Sequence, residues 1–174
     1  HIDELQIAAQ LHRQLTGDDL LVCEAPNGIT IPADAEYVWL GTITAEDDLE
    51  GPYVDITGTL DHERMQPVIH FDAQFQKKSP IFHALIPSGA EHRTLMGLPR
   101  APIIQDAVNC VCPCHDVCLT AGGSGWLSVV IQISPRRPSD GHDALMAAFA
   151  AHTSVKQVIA VDHDIDPTDP VAVE

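Results

Sequence analysis

Glu50 and Asp55 stand five residues apart in the segment EGPYVD, one beside a Gly-Pro turn and the other just inside the stretch that follows. Two carboxyl groups held near each other in a partly dry pocket can divide their pKa values, one staying protonated as an acid and the other ionised. On spacing alone, a solvated turn glutamate is the commoner occupant of such a position. A second concentration of chemistry is CVCPCHDVC, which gathers Cys110, Cys112, Cys114, His115 and Cys118. Structural zinc sites usually pair ligands two to four residues apart and require a second pair elsewhere. A C-x-C-x-C run on a strand instead turns all three thiols to one face, so the expectation is a buried strand of small apolar side chains without a metal. The odd cysteine count adds no disulfide argument. The acidic run DHDIDPTD places Asp162, Asp164 and Asp166 like the start of a calcium loop, but Pro167 and Val173 fill the positions that need a glycine and a bidentate glutamate. GGSGW lacks the third glycine of a dinucleotide fingerprint and precedes a strand, so it reads as a turn.

These residues are carried by a chain of 174 residues that is 45% hydrophobic, enough to bury a core in one domain or two small ones. The formal charge of -16, with only three lysines, repels phosphate backbones and argues against nucleic-acid binding. No apolar run is long enough to span a membrane and no secretory signal opens the chain, so the expected location is cytoplasmic. His1 reads as a remnant of cloning, because DELQIAAQLHRQL already has the texture of a helix interior.

Periodicity supplies the elements. Leu5, Ile7, Ala8, Leu11 and Leu15 recur at helical spacing over residues 4–15, and Thr16-Gly17-Asp18 provides the stop. From Leu20 to about Phe82 the pattern is that of antiparallel strands, LLVCEA, EYVWLGTITA, YVDITGTL and MQPVIHFDAQFQ, cut by PNG, EGP and DHER. Several strands of this kind suggest a barrel or a curved sheet. After Ser79-Pro80 the elements become mixed: PIFHALIP as a strand or edge, AEHRTLMG as a short helix, APIIQDAVNCV as a further element. WLSVVIQI, SDGHDALMAAFAAH and VKQVIAV then read as strand, helix and strand.

The order of segments adds a resemblance. ELQIAAQL, IPADAEYVWLGTI, EGPYVDITG, HALIPSGAEHRTLMGLPR, HDVCLTAGGSG and AAFAAHTSVKQVIAVDHDID follow one another as in the UbiD-type family, decarboxylases of aromatic and α,β-unsaturated acids. The resemblance runs through essentially the whole chain and corresponds to the middle of that family's longer sequence. It implies an α+β fold: residues 1–80 as the later half of a split β-barrel flavin-binding domain, and residues 81–174 as an α/β oligomerisation domain, incomplete at its C-terminus.

Residue by residue, the resemblance implies that Glu4 helps hold a divalent ion against the cofactor phosphate, and that Glu50 and Asp55 are the two acidic catalytic residues. Glu50 would be the proton donor, with Asp55 near the reactive edge of the flavin. Met96 and Ser154 would line the substrate pocket. The implied cofactors are prenylated FMN, Mn2+ or Mg2+, and K+. The implied partners are a small unsaturated or aromatic acid, a flavin prenyltransferase that supplies the cofactor, and further copies of the chain. The family's catalytic arginine and its remaining metal ligands, an asparagine and a histidine, would lie upstream of residue 1, so the expectation is an enzyme as the full-length parent and an inactive isolated chain. Two other readings compete with this one, an inert folding or self-associating piece without flavin, and a split-barrel flavin reductase that leaves LMGLPR and VDHDID without a role.

Overall fold

A computed structural model describes residues 3–174, so His1 lies outside the described residues. The chain divides into two compact units, His1–Gly51 with Glu63–Ala84, and Pro52–His62 with Leu85–Glu174.

The first unit opens with α1 (Glu4–Thr16), and both of its ends are written locally. Asp3 caps it, its Oδ1 accepting from Leu5 N at 3.0 Å and Gln6 N at 3.3 Å, so two otherwise orphaned N–H groups are satisfied. Gly17 ends it with a left-handed φ of 84° and returns its N–H to the Arg13 carbonyl, as a glycine C-cap does. A hairpin of β1 (Val22–Glu24) and β2 (Thr30–Pro32) follows, turning at Gly28 with φ 81°. The long strands β3 (Tyr37–Glu50) and β4 (Arg64–Gln76) then pair antiparallel from Tyr37↔Gln76 to Glu50↔Arg64, with irregularities after Leu40 and between Ile43 and Asp47. At the first irregularity a Cβ on Gly41 would lie 2.5 Å from the His70 carbonyl oxygen, so only glycine permits that approach. The open end of the ribbon is clamped by Lys77, whose Nζ lies 2.8 Å from carboxylate oxygens of both Asp34 and Glu36.

The antiparallel reading from Leu20 to about Phe82 therefore holds in the main, with two local corrections. PIFHALIP forms no strand. Pro80 and Pro87 have no N–H to give a ladder, and the Ile81 N–H is taken by Glu36 Oε2 at 3.0 Å. YVDITGTL, which belongs to the second unit, is not a strand but a tight loop closed by one bridge, Val54↔Leu60. No closed barrel forms among the described residues, whose strands here make separate two-stranded sheets.

The second unit contains α2 (Ala90–Gly97), α3 (Arg100–Asn109), β5 (Cys114–Leu119), β6 (Ser128–Ile133), α4 (Asp140–Ala151), β7 (Gln157–Asp162) and the short α5 (Pro170–Val173). Its sheet has the order β5-β6-β7, with β5 antiparallel and β7 parallel to β6. The parallel pair needs a crossover, and α4 provides it, as the strand-helix-strand pattern anticipates. The core joins Ile104 and Val108 of α3, Val129 and Ile131 of β6, and Ala144 and Ala148 of α4, all fully buried. Each large aliphatic side chain so buried contributes about 1.5–3 kcal/mol. Asp140 is 1% exposed at the start of α4 and fully satisfied, accepting from Arg136 N at 2.8 Å, Arg137 N at 3.0 Å and Arg137 Nε at 2.9 Å.

The cysteine-rich segment corrects another expectation. Cys110 is the C-cap of α3, with its Sγ on the Asp106 carbonyl oxygen. Cys112 lies in the turn that follows, and only Cys114 and Cys118 are on β5. The helix therefore runs into the stretch read as a strand, and Pro113, lacking an N–H, delays the strand until residue 114. Cys112 and Cys114 are buried, Cys110 is exposed, and all five cysteines are free.

Candidate functional site

Glu50 ends β3, paired with Arg64 of β4 and exposed to solvent. Gly51 then adopts φ 94° and Pro52 follows, so the strand cannot continue past the carboxylate. Glu4, also in the first unit, sits exposed in the first turn of α1. Its carboxylate is a hard oxygen donor of the kind Mn2+ or Mg2+ takes. Among the described residues no three His, Cys, Asp or Glu side chains converge on a common point, Glu4 included.

The other three residues belong to the second unit. Asp55 is half-buried in the loop between β3 and β4, and its Oδ1 accepts from the Thr57 N–H at 2.6 Å and from the Thr57 hydroxyl. The Thr57 side chain, followed by the Thr57 N–H, holds the Asp55 carboxyl below the ordinary aspartate value despite some desolvation. Met96 lies on α2 and is 38% exposed, and Ser154 is half-buried in the turn after α4. Two cavities of this unit are lined by none of Asp55, Met96 and Ser154. One of them, of about 410 Å3, is lined by Arg93, Thr94, Gly97, Asp116, Cys118 and Thr168, among others.

Several features of this unit escape a reading by motif. Ser88 precedes α2 with a positive φ of 59°, unusual for a residue other than glycine. Its hydroxyl accepts from Arg93 Nη2 at 2.9 Å, and Arg93 Nε is buried without a hydrogen-bond partner among the described residues. His152 is buried with its Nε2 likewise unpartnered. Its ring stands edge-on to Trp126 at 4.7 Å between centroids, and the Arg100 guanidinium lies 5.4 Å from the Trp126 ring on the cation-π side. Burial, followed by the Arg100 charge, pushes the His152 pKa down. The one signal available for Thr57 was the D-x-T-G pattern, which a turn formed by an aspartate side chain favours.

Comparison with known proteins identifies relatives of both parts of the chain. The family model described as 3-octaprenyl-4-hydroxybenzoate carboxy-lyase Rift-related domain matches residues 1–90, and that of the 3-octaprenyl-4-hydroxybenzoate carboxy-lyase C-terminal domain matches residues 93–174. Anhydromevalonate phosphate decarboxylase of Methanocaldococcus jannaschii is 47% identical over 94% of this chain and 38% of its own length. The protein of the same name from Methanosarcina mazei is 45% identical over 92% of this chain and 38% of its own. The chain thus spans about two fifths of the length of these relatives. Among solved structures, the UbiD-class enzyme HmfF from Pelotomaculum thermopropionicum in complex with FMN superposes with a TM-score of 0.89 at 31% identity, covering 99% of this chain and 38% of that one. An evolved dimeric form of the same enzyme in complex with prFMN gives the same TM-score over 40% of its chain. The 3,4-dihydroxybenzoic acid decarboxylase of Enterobacter cloacae, at 23% identity and a TM-score of 0.78, shares the fold across 95% of this chain and 37% of its own.

Proposed function

This chain belongs to the UbiD carboxy-lyase family, and from that premise we propose that the complete protein decarboxylates an α,β-unsaturated acid bearing a phosphate group. The observation that carries this reading is the 47% identity, over nearly the whole chain, to an anhydromevalonate phosphate decarboxylase. That name describes a dehydrated, phosphorylated hydroxy acid and favours such a substrate over an aromatic one.

The same reading keeps residues 1–80 as part of a split-barrel flavin-binding domain and residues 81–174 as an α/β oligomerisation domain. Support comes from a neighbour solved with FMN and, in a dimeric form, with prFMN. When bound, prenylated FMN supplies the electron sink that accepts the bonding pair as carbon dioxide leaves. Glu4 would offer its carboxylate to a divalent ion, which would supply the positive charge that a cofactor phosphate needs beside an acidic side chain. Glu50 carries a proton to the carbon that has lost carbon dioxide. The O–H bond of its carboxyl breaks, a C–H bond forms, and solvent reprotonates the carboxylate for the next cycle. Thr57 holds the Asp55 carboxyl below the ordinary aspartate value, which suits it to accept hydrogen bonds, and the donor's task falls to Glu50 by resemblance to the family. By resemblance to the family, Met96 and Ser154 would contribute to the acid's pocket in the complete protein.

The test supplies the complete, cofactor-loaded protein with anhydromevalonate phosphate and, separately, with 3,4-dihydroxybenzoic acid, and follows carbon dioxide release. Turnover of the phosphorylated acid alone is expected. Turnover of the aromatic acid alone overturns the substrate reading.

A further inference from the structure

The loop between β3 and β4 holds Asp55 by more than its backbone. Thr57 turns both of its donors onto one carboxylate oxygen, the N–H at 2.6 Å from Oδ1 and the hydroxyl on the same atom. A hydroxyl has one proton to give, and the Thr59 hydroxyl, 2.7 Å away, can donate to Thr57 while Thr57 donates to Asp55. Backbone bonds close the loop around this arrangement: Asp55 N to Thr59 O at 2.9 Å, Gly58 N to Asp55 O at 3.1 Å, and Asp61 N to Tyr53 O at 2.8 Å. At the tip, Gly58 has φ 86°, and a Cβ there would stand 3.1 Å from the Ser88 hydroxyl that Arg93 holds. The loop is thus held at its mouth and at the carboxylate, with its tip close to Ser88.

Two donors on a single oxygen favour the ionised form, and protonating Oδ1 would sacrifice both bonds. The remaining titratable groups on the elements packed here are Tyr53, Asp61, His62 and Glu63 on the loop itself, and Glu91, His92 and Arg93 on α2 beyond Ser88. Beside Thr57, the N–H and hydroxyl of Thr59 also help to hold the Asp55 carboxyl below its ordinary value.

We propose that Thr57 is a positioning residue for the reaction: it fixes Oδ1 of Asp55 and so presents Oδ2 as the oxygen offered to the reacting groups. This rests on the reading of Asp55 as a catalytic residue. It also explains why the chain carries a threonine two residues after the carboxylate, since the hydroxyl supplies the second donor that an apolar residue lacks.

The test uses the complete protein with Thr57→Val, Thr57→Ser and Asp55→Asn. Without cofactor, the carboxyl C=O infrared band that Asp55→Asn removes is followed against pH. With cofactor, kcat is followed over the same range. In Thr57→Val the band is expected to appear at higher pH than in the parent. The ratio of kcat at about pH 5 to that near neutrality should fall on the order of threefold, the effect of losing one charge-assisted hydrogen bond to the ionised form. Cofactor content should be unchanged, and Thr57→Ser should restore both curves. If the valine variant does not fold, Thr57→Ala carries the same prediction. An unchanged infrared titration and pH profile, or a pH-independent loss of activity accompanied by cofactor loss, overturns the proposal. An Asp55→Asn enzyme of normal kcat instead overturns the catalytic reading of Asp55, and with it the positioning role, while the infrared titration separately decides whether Thr57 holds the carboxylate.

Discussion

Gly97 and Gly141 make a pair of substitutions whose outcomes should have opposite signs. Both glycines lie in helices, where alanine normally gains about 1 kcal/mol over glycine. Gly141, in the first turn of α4, has open space where a Cβ would go, so Gly141→Ala should stabilise by about 0.4–1 kcal/mol. Gly97 is buried at the end of α2, and a Cβ there would overlap the carbonyl oxygen of Gly125. That carbonyl cannot easily retreat. Gly125 sits at φ 64°, and a Cβ of its own would be 2.9 Å from the Arg93 carbonyl oxygen, so helix and turn are in backbone contact from both sides. Overpacking of this kind costs about 1–3 kcal/mol, and a clash with backbone on both sides belongs at the upper end. Subtracting the helix gain leaves a net destabilisation of about 2 kcal/mol, or on the order of 10 °C in melting temperature for a unit of this size. Thermal melts of the parent chain and the two variants, followed by circular dichroism with urea melts alongside, measure both effects. A Gly97→Ala chain melting at or above the parent refutes the reasoning, because no propensity gain can appear if the carbonyl is where the structure places it.

Three further outcomes concern thiols and one carboxylate. Thiol labelling of the native chain should modify the exposed Cys23 and Cys110 first and reach Cys112 and Cys114 only on unfolding; equal labelling rates would contradict their burial. Burial pushes the Cys114 thiol from 9.0 up to about 11, so its contribution to stability is fully present below pH 9 and lost as pH rises through that interval, a loss that Cys114→Ala should remove from an alkaline denaturation curve. For Asp140, the N–H groups of Arg136 and Arg137, helped by the Arg137 side chain, hold the carboxyl below its ordinary value of 3.8. Its contribution is therefore present above that pH and lost as pH falls through the lower, folded value. Asp140→Asn should melt several degrees below the parent at neutral pH, the two curves converging in acid, and a gap that does not change with pH would be incompatible with this.

The parts of the fold legible in the sequence are those whose causes are local. The helical period of Ile7, Leu11 and Leu15 and the stop at Gly17 define α1, and the alanine-rich stretch after Ser139 defines α4. The apolar runs SVVIQI and QVIAVD then emerge as the parallel pair that α4 connects. The parts that were not legible depend on side chains competing with backbone ladders. YVDITGTL has the composition of a strand, yet the Asp55 carboxylate takes the Thr57 N–H and Gly58 swings to a positive φ, so the segment closes into a loop. PIFHALIP looks equally extended, but the Ile81 N–H goes to Glu36, a residue far earlier in the chain. For the candidate site, the carboxylates Glu4, Glu50 and Asp55 stood out by order of segments, whereas Thr57 and Ser88 gain meaning only once the loop is closed and its tip faces Ser88.

The central claim, a decarboxylase whose protein-borne proton comes from Glu50, is tested most directly by Glu50→Gln in the complete protein. The amide keeps the shape of the side chain and cannot deliver a proton. Carbon dioxide release from anhydromevalonate phosphate and the visible absorption of the bound flavin would be read on one preparation, with Glu4→Gln beside it. The expected result is a fully loaded but inactive Glu50→Gln enzyme, and a Glu4→Gln enzyme that retains less cofactor yet turns over in proportion to what it holds. The contrary result, Glu4→Gln fully loaded and inactive with Glu50→Gln unloaded, would reverse the two assignments.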